Sequence, residues 1–316
     1  MTKLAAGIIN YREYPETLSC IESLLASKRR PDRILVADNE SQDGPASDLV
    51  RKLGAENVLA SRENRGYSGG ANAILRAVPD ADYVLLLNPD VRVSPDFCSE
   101  LLRAAESDPR AAILAAKLVR PDGKTLDSTG VVARRSGRIE DRGMGTPDDG
   151  RYDRPEEVFG ATGAAMLLRR SAMEELEFEG EVFDEGFFLY HEDNDLSWRS
   201  RLAGWKALYV PTAVAEHARK FRQGGRGSVS RRVRGHAFKN HYLKLAKNLV
   251  FRQVLRDVLH LAGWEALRLG YALVREPFLF AWGWRAMMLL PRAWRWRRAT
   301  MSRRRVSWKE LKQWFI

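Results

Sequence analysis

Four clusters of polar side chains along this 316-residue chain have the types and spacing that chemistry needs. Asn88-Pro89-Asp90 follows the apolar run Tyr83-Val84-Leu85-Leu86-Leu87, and a buried strand ending in an oxygen-rich turn fixes hard ligands for Mg2+ or Mn2+ on rigid backbone. Asp90 is the carboxylate candidate there. His217 is a candidate imidazole ligand, a donor more natural to Mn2+ than to Mg2+. A plain strand-to-helix turn and a structural histidine would use the same residues. His191-Glu192-Asp193-Asn194-Asp195 opens a helical pattern, where carboxylates favour the helix N-terminus. The preceding Phe183-Asp184-Glu185-Gly186-Phe187-Phe188-Leu189-Tyr190 is apolar enough to bury them, which is unfavourable unless they are used. Burial raises carboxylate basicity, so Asp193, Glu192 and Asp195 are candidates for a general base.

Two further clusters suit a nucleotide. Asp38-Asn39-Glu40-Ser41-Gln42-Asp43-Gly44 ends a second strand with acceptors able to take the imide N–H of a pyrimidine base, although an Asx-rich turn has the same composition. Asn64-Arg65-Gly66-Tyr67-Ser68-Gly69-Gly70-Ala71-Asn72 is a Gly-rich loop opening a helix, so its backbone can approach a diphosphate while Arg65 supplies charge. It has neither the Walker Lys-Ser/Thr nor the dinucleotide glycine spacing, which weakens ATPase and NAD readings.

These clusters need a scaffold that gathers its loops at one edge. Apolar runs alternating with helical periodicity predict strands feeding crossover helices in a mainly parallel sheet. Strands are expected at residues 4–9, 34–37, 57–60 and 83–87. Helices are expected through Leu18, Ile21, Leu24 and Leu25 after Pro15, over 70–77, and after the Ser94-Pro95 start. Beyond residue 110, strands are expected at 111–119, 164–168 and 207–210 and a helix at 194–202. Residues 137–154 are polar and rich in Gly and Asp, and read as a functional lid or a disordered loop.

The net charge of +11 is unevenly spread. Residues 218–316 hold 24 Lys and Arg against 4 Asp and Glu, whereas residues 1–217 hold 28 against 37. Seven of the nine tryptophans lie in the same basic tail, interleaved with arginines between Arg292 and Arg305. Trp beside Arg on amphipathic segments suits an interfacial helix. The apolar run 278–290 is bounded by Pro277 and Pro291, broken by Arg285, and shorter than the roughly 20 residues a membrane span requires. Tryptophans packed on the catalytic part, or a nucleic-acid-binding tail, would have the same composition, but no RNA- or DNA-binding motif accompanies it. Cys20 and Cys98 fall on apolar helix faces, which gives neither a disulfide framework nor a zinc site and fits a reducing cytoplasm. The N-terminus runs directly into a strand without the features of a signal peptide, so export is not expected.

In chain order, Asn10-Tyr11, Asp38-Asn39 with Asp43-Gly44, Asn64-Arg65-Gly66 with Asn72, Leu87-Asn88-Pro89-Asp90, Phe183-Asp184-Glu185, Glu192-Asp193 with Asp195-Leu196 and Arg199, then His217, resemble the family 2 glycosyltransferases of GT-A fold. Within that family the resemblance is to the bacterial rhamnosyltransferase-like branch. It spans residues 4–220 and implies an α/β GT-A fold with a mainly parallel central sheet and a helical C-terminal appendage. A catalytic domain is expected at 1–220, its nucleotide-sugar half at about 1–110 and its acceptor half at about 111–220, followed by a basic, Trp-rich, helical membrane-associating region at 221–316.

The resemblance implies inverting transfer of a sugar from a dTDP- or UDP-linked nucleotide-diphospho-sugar. Asn88 stands where the family often has a first aspartate, as in the rhamnosyltransferase-like branch, which favours L-rhamnose from dTDP-rhamnose. Asp38 would recognise the base, and Asn10, Tyr11, Asn39, Asp43, Asn64, Arg65, Gly66, Asn72, Asn88 and Arg199 would surround the donor. Asp90 and His217 would hold a divalent cation, Mg2+ or Mn2+. Asp193 would deprotonate the acceptor hydroxyl, with Glu192 or Asp195 as helpers or as the base instead. The expected acceptor is a lipid-linked, polyprenyl-diphosphate-anchored glycan, met by a cytoplasmic protein peripheral on the anionic inner face of the plasma membrane, with no nucleic-acid partner. A sugar-1-phosphate nucleotidyltransferase is the rival enzyme, but the basic Gly-rich loop it needs after strand one is here Ile9-Asn10-Tyr11-Arg12-Glu13. The other rival is a non-catalytic basic protein that binds nucleic acid or membrane.

Overall fold

The computed structural model describes residues 2–40, 43–219 and 229–316, with only the backbone at 43–45. Its centre is β1 (Leu4–Asn10), buried along its whole length because small and branched apolar side chains serve both faces. The chain then alternates through α1 (Tyr14–Leu25), which has proline in its first turn, β2 (Arg33–Asn39), α2 (Asp43–Leu53), β3 (Val58–Ser61), α3 (Gly66–Ala77) and β4 (Tyr83–Leu87). Strands β3, β2, β1 and β4 lie side by side and parallel, so their carboxyl ends share one edge, with Asn10 level with Asp38.

Past β4 the elements are β5 (Val91–Val93), α4 (Phe97–Ser107), β6 (Ala111–Val119), β7 (Leu126–Ser128), β8 (Val131–Ala133), β9 (Ile139–Asp141), β10 (Glu156–Val158), β11 (Ala165–Arg169), α5 (Arg170–Leu176), α6 (Glu192–Leu202) and β12 (Lys206–His217). The sheet continues from β4 through β11, β6 and β12 to β10 and becomes mixed, with β11 antiparallel to both β4 and β6. A chain that reaches β11 through short strands and turns, without a crossover helix, can return antiparallel. The parallel order expected from the sequence therefore holds through the first four strands and again between β6 and β12, while β11 and β10 run antiparallel to their neighbours.

Two other expectations change. Residues 137–154 are a built rim rather than a lid or disordered loop: β9 pairs with β8, and Lys117 reaches Asp148 at 2.8 Å and Asp153 at 2.7 Å. The aspartates and glycines there make turns and ion pairs. Strand β12 is much longer than 207–210, because a register irregularity between Val210 and Val214, around Pro211, interrupts the pattern without ending the strand. Its far end pairs with β5, setting His217 opposite Val91.

The tail is helical: α7 (Arg231–Asn248), α8 (Phe251–Arg275), α9 (Leu279–Met288), α10 (Leu290–Ser302) and α11 (Trp308–Lys312). Helix α7 is wedged among α6, α9 and α10. Gly235 makes the approach of α9 possible, since a Cβ there would lie 2.1 Å from the Trp282 ring. Phe187, Leu243, Ala286 and Ala293 form an apolar seam joining the segment before α6 to the tail helices. Among the described residues no helix is long and apolar enough to cross a membrane.

Candidate active site

The β5–β12 pairing brings Asp90 and His217 together, with His217 Nε2 3.2 Å from Asp90 Oδ1. The other ring nitrogen, Nδ1, lies 2.7 Å from Asp127 Oδ2, and Asp127 on β7 is fully buried. Arg219 Nε reaches the remaining Asp127 oxygen at 2.9 Å, and its Nη2 reaches Asp141 Oδ2 at 2.6 Å. A carboxylate behind a histidine fixes the tautomer and the ring orientation. Burial disfavours the imidazolium, but Asp127 and Asp90 outweigh it and push the His217 pKa up to about 9, so the site welcomes positive charge. One imidazole and one carboxylate fit Mg2+ or Mn2+ only when other oxygen ligands join them. Among the described residues no group of three or more His, Cys, Asp or Glu could hold a metal alone.

The acidic cluster begins α6. Just before it, Phe188, Tyr190 and His191 have φ of 68°, 71° and 71°, left-handed conformations that are strained for side chains other than glycine. Asn240 of α7 offsets the strain: the two N–H groups of its Nδ2 are shared among the carbonyls of Phe187 (2.8 Å), Leu189 (2.9 Å) and Tyr190 (2.7 Å). Gly66 seals the other side, because its φ is 68° and a Cβ there would lie 2.2 Å from the Phe188 oxygen.

The loop so held aims Asp193 at Gly163, whose N–H donates to Oδ2 at 2.9 Å, while the N–H of Asn194 donates to Oδ1 at 2.7 Å. Burial raises the Asp193 pKa despite these two donors. Glu192 is buried, its Oε2 has no partner among the described residues, and burial with the adjacent Asp193 charge lifts it well above the usual carboxylate range. Asp195 is fully buried and saturated: Oδ2 receives Arg199 Nε and Lys247 Nζ, each at 2.9 Å, and Oδ1 receives Asn248 Nδ2 at 2.8 Å.

Asp90, His217 and Asp193 share one neighbourhood. The N–H of Asn88, half-buried in the β4 turn, donates to Ala164 at 2.9 Å, and the next residue back, Gly163, is the one that holds Asp193. From the other side, Asp141, at the end of the His217–Asp127–Arg219 relay, adds its charge to Asp193. Tyr67 of the Gly-rich loop donates to the Gly163 carbonyl at 2.8 Å, which brings a third cluster to the same place.

The carboxyl edge of the parallel strands is tightly braced. Asp38, buried, accepts from Asn10 Nδ2 at 2.7 Å and from the Tyr14 hydroxyl at 3.2 Å. Asn39 donates to the Gly66 carbonyl (3.1 Å) and accepts from the Arg65 N–H (3.0 Å), and Asn64 accepts from the Gly66 N–H (2.8 Å). Arg65 pairs with Glu185 at 3.0 Å. Asn72 accepts from the N–H groups of Val182 and Phe183 and donates to the Phe183 carbonyl, while buried Arg199 donates to the carbonyls of Val182 and Leu176. Tyr11 is exposed at the rim. Ser41 and Gln42 lie outside the described residues, as do the side chain of Asp43 and the accessibility of Gly44.

Sequence reasoning missed Asp127, Arg219, Asn240 and Lys247. A signal existed for the tail pair: Asn240, Lys244, Lys247 and Asn248 follow i, i+4, i+7, i+8 spacing, one face of a helix, and that face is fully buried. The stripe reads as a solvated face until the elements around it are known.

Residues 6–177 match the model of the family described as Glycosyl transferase family 2. The chain is 31% identical over 261 residues to the N-acetylglucosaminyl-diphospho-decaprenol L-rhamnosyltransferase of Mycobacterium tuberculosis, an alignment covering 75% of this chain and 82% of that protein. It is 32% identical over 147 residues to the rhamnosyltransferase WbbL of Escherichia coli, covering 44% and 53%. Among solved structures it is similar to GalNAc-T7 with UDP, GalNAc and Mn2+ (TM-score 0.59, 16% identity, 78% of this chain and 48% of that one). It is also similar to the mannosyltransferase PcManGT from Pyrobaculum calidifontis in complex with GDP-Man and Mn2+ (TM-score 0.54, 17% identity, 95% and 85%). At these identities the structural likeness speaks for the fold alone, a GT-A glycosyltransferase fold, and the sequence matches speak for descent: the chain belongs to glycosyl transferase family 2, on its rhamnosyltransferase-like side.

Proposed function

We propose that this glycosyltransferase moves L-rhamnose from dTDP-rhamnose, with inversion, to a hydroxyl of a polyprenyl-diphosphate-linked glycan at the inner face of the plasma membrane. The observation that carries the reading is Asp193, oriented by the Gly163 N–H, across the 163–164 link from the Asp90–His217 pair. Asp193 takes the proton of the acceptor hydroxyl as its oxygen bonds to the anomeric carbon, and the bond from that carbon to the diphosphate breaks with its electron pair leaving on phosphate. A divalent cation held by Asp90 and His217, and by the donor's own phosphates, would neutralise that charge. The Mn2+ named with both similar structures supports a cation of this kind. Asp127 orients His217. Asn10 and Tyr14 orient Asp38 toward the base, with Tyr11 at the rim. Asn39, Asn64, Gly66, Asn72 and Arg199 act by fixing the loops, and Asp195 by fixing α6, which leaves Glu192 as helper to Asp193.

The relatives' names supply the sugar and the lipid-linked acceptor, and the tail supports the membrane. Helix α8 turns Leu259 (82% exposed) and Val274 (76% exposed) outward, and α9 does the same with Trp284 (63% exposed), beside exposed Arg252, Arg275 and Arg285. An apolar, cation-rimmed surface of this kind suits anionic lipid.

Calorimetric titration with dTDP- and UDP-sugars, with and without Mn2+, tests the reading. Binding of dTDP-rhamnose that strengthens with Mn2+ and loses that gain in Asp90→Ala is expected. Tighter binding of a UDP-sugar would reassign the donor, and indifference to the cation would remove its role.

A further inference from the structure

A cavity of about 750 Å³ lies between α7 and α8, outside the donor edge, and nothing in the transfer chemistry above uses it. One end is formed by Tyr190 and His191, the residues directly before Glu192 and Asp193. Phe238, Trp264, Leu267 and Leu279 give it apolar walls, and Leu267 is also 69% exposed, so the cavity opens onto the apolar face of α8. Three guanidiniums line it as well: Arg138, stacked 4.4 Å over the Trp264 ring, Arg234, and Arg268, 5.0 Å from the Phe238 ring. Arg138 pairs with Glu140 (2.8 Å) and Arg234 with Glu276 (2.6 Å), and Arg268 lies 3.4 Å from Glu265. A guanidinium has five N–H donors, so one carboxylate does not exhaust it. Nε of Arg234 and Nε1 of Trp264, behind the cavity wall, are buried without a partner among the described residues.

We infer that this cavity receives the diphosphate and first isoprene units of the lipid-linked acceptor, an inference that rests on the acceptor class proposed above. The ligand must be apolar at one end, rich in hydrogen-bond acceptors at the other, and able to reach both the lipid surface and Asp193. A polyprenyl diphosphate meets all three demands: its chain enters past Leu267, its phosphate oxygens meet the guanidiniums of Arg138 and Arg234, and the sugar beyond them extends past His191 to the base. The nucleotide diphosphate belongs to the other side of Asp193, at Asp90, so the two diphosphates do not compete.

Titration of the full chain with farnesyl diphosphate, with farnesol and inorganic diphosphate as separate arms, tests the assignment. Farnesyl diphosphate is expected to bind at least tenfold more tightly than either fragment. Arg138→Ala, at a half-exposed side chain, and Ala237→Trp, which fills the cavity from α7, should each weaken it at least tenfold, with thermal melts certifying their folds. Absent binding, equal binding by wild type and Arg138→Ala, or farnesol bound as tightly as its diphosphate would each overturn the assignment. A parallel titration with dTDP-rhamnose and Mn2+ separates the two claims. Donor binding without farnesyl diphosphate binding sinks the cavity assignment alone, and farnesyl diphosphate binding without donor binding sinks the donor reading alone.

Discussion

The donor edge of the sheet and the layer behind α6 handle charge in opposite ways. At the edge, Asp38 rests on the neutral partners Asn10 and Tyr14, and Asp90 rests on His217, a titratable cation with a pKa of about 9 rather than a permanent one. Behind α6, Asp184 and Asp195 share the fully buried Lys247 at 2.9 Å each, with Arg199 on Asp195 and Arg292 on Asp184 at 2.7 Å. Lys247 and Arg292 hold the Asp184 pKa down at about 2 against the burial that opposes them. Carboxylates on neutral or titratable partners can serve a ligand, whereas carboxylates met by buried permanent cations serve geometry. Asp193 stands on the boundary, partly buried and, among the described residues, held by backbone N–H donors rather than by a cation.

The largest effect expected is at that boundary. Asp193→Asn should lower transfer by about 10²–10⁴-fold, the usual worth of a general base, while donor affinity by calorimetry stays near wild type. Asp195→Asn should act mainly on stability. Loss of turnover in Asp195→Asn with an unchanged melt would reverse the division.

Next is the buried network. Lys247→Met leaves two carboxylates short of a cation and should destabilise the fold by about 3–5 kcal/mol, read from urea unfolding. A loss below about 1 kcal/mol, the scale of an exposed ion pair, would mean that the layer is wetter than its burial indicates. Smaller again is Asp127→Asn, which keeps the shape but weakens the partner that orients His217. Mn2+-dependent donor binding should fall by about 10–100-fold, with donor binding without metal unchanged. Equal loss in both conditions would make Asp127 a structural residue and nothing more.

The same contrast explains what the sequence disclosed. At the donor edge each group follows its own strand, Asn10 after β1, Asp38 after β2, Asp90 after β4, so an apolar run plus its next few residues suffices to find it. Strand alternation with helices made the parallel half of the fold legible for the same reason. The second half depends on pairings between segments far apart in the chain: His217 meets Asp127 across 90 positions, and Asn240 meets the 187–190 carbonyls across about 50. Local pattern carries no information on such pairs. The acidic run 192–195 was visible, but which acid is taken into the ion network is decided by Lys247 and Asn248, on a helix that composition alone assigned to a membrane-associating appendage.

Lys244 offers the finest test of this division, because it breaks the rule of the layer in which it sits. Its ammonium is fully buried with no hydrogen-bond partner among the described residues, and burial pulls its pKa down to about 7. The folded value lies below the unfolded one, so between about pH 7 and 10.5 the unfolded chain binds more protons and stability rises with pH. Below about pH 7 both states are charged and the destabilisation is complete. Lys244→Met preserves the stem and removes the charge, so it should raise stability at pH 7 by about 1–2 kcal/mol and flatten the slope above it, read from melts across that range. Lys244 also lowers the Asp193 pKa by its charge, so the same variant should move the acid limb of the transfer profile to higher pH. Stabilisation together with that displacement would give Lys244 a task at the base that outweighs its burial. A variant less stable than wild type at pH 7 would make Lys244 a partnered cation like Lys247, and the whole stripe on α7 would then belong to the geometry-holding network.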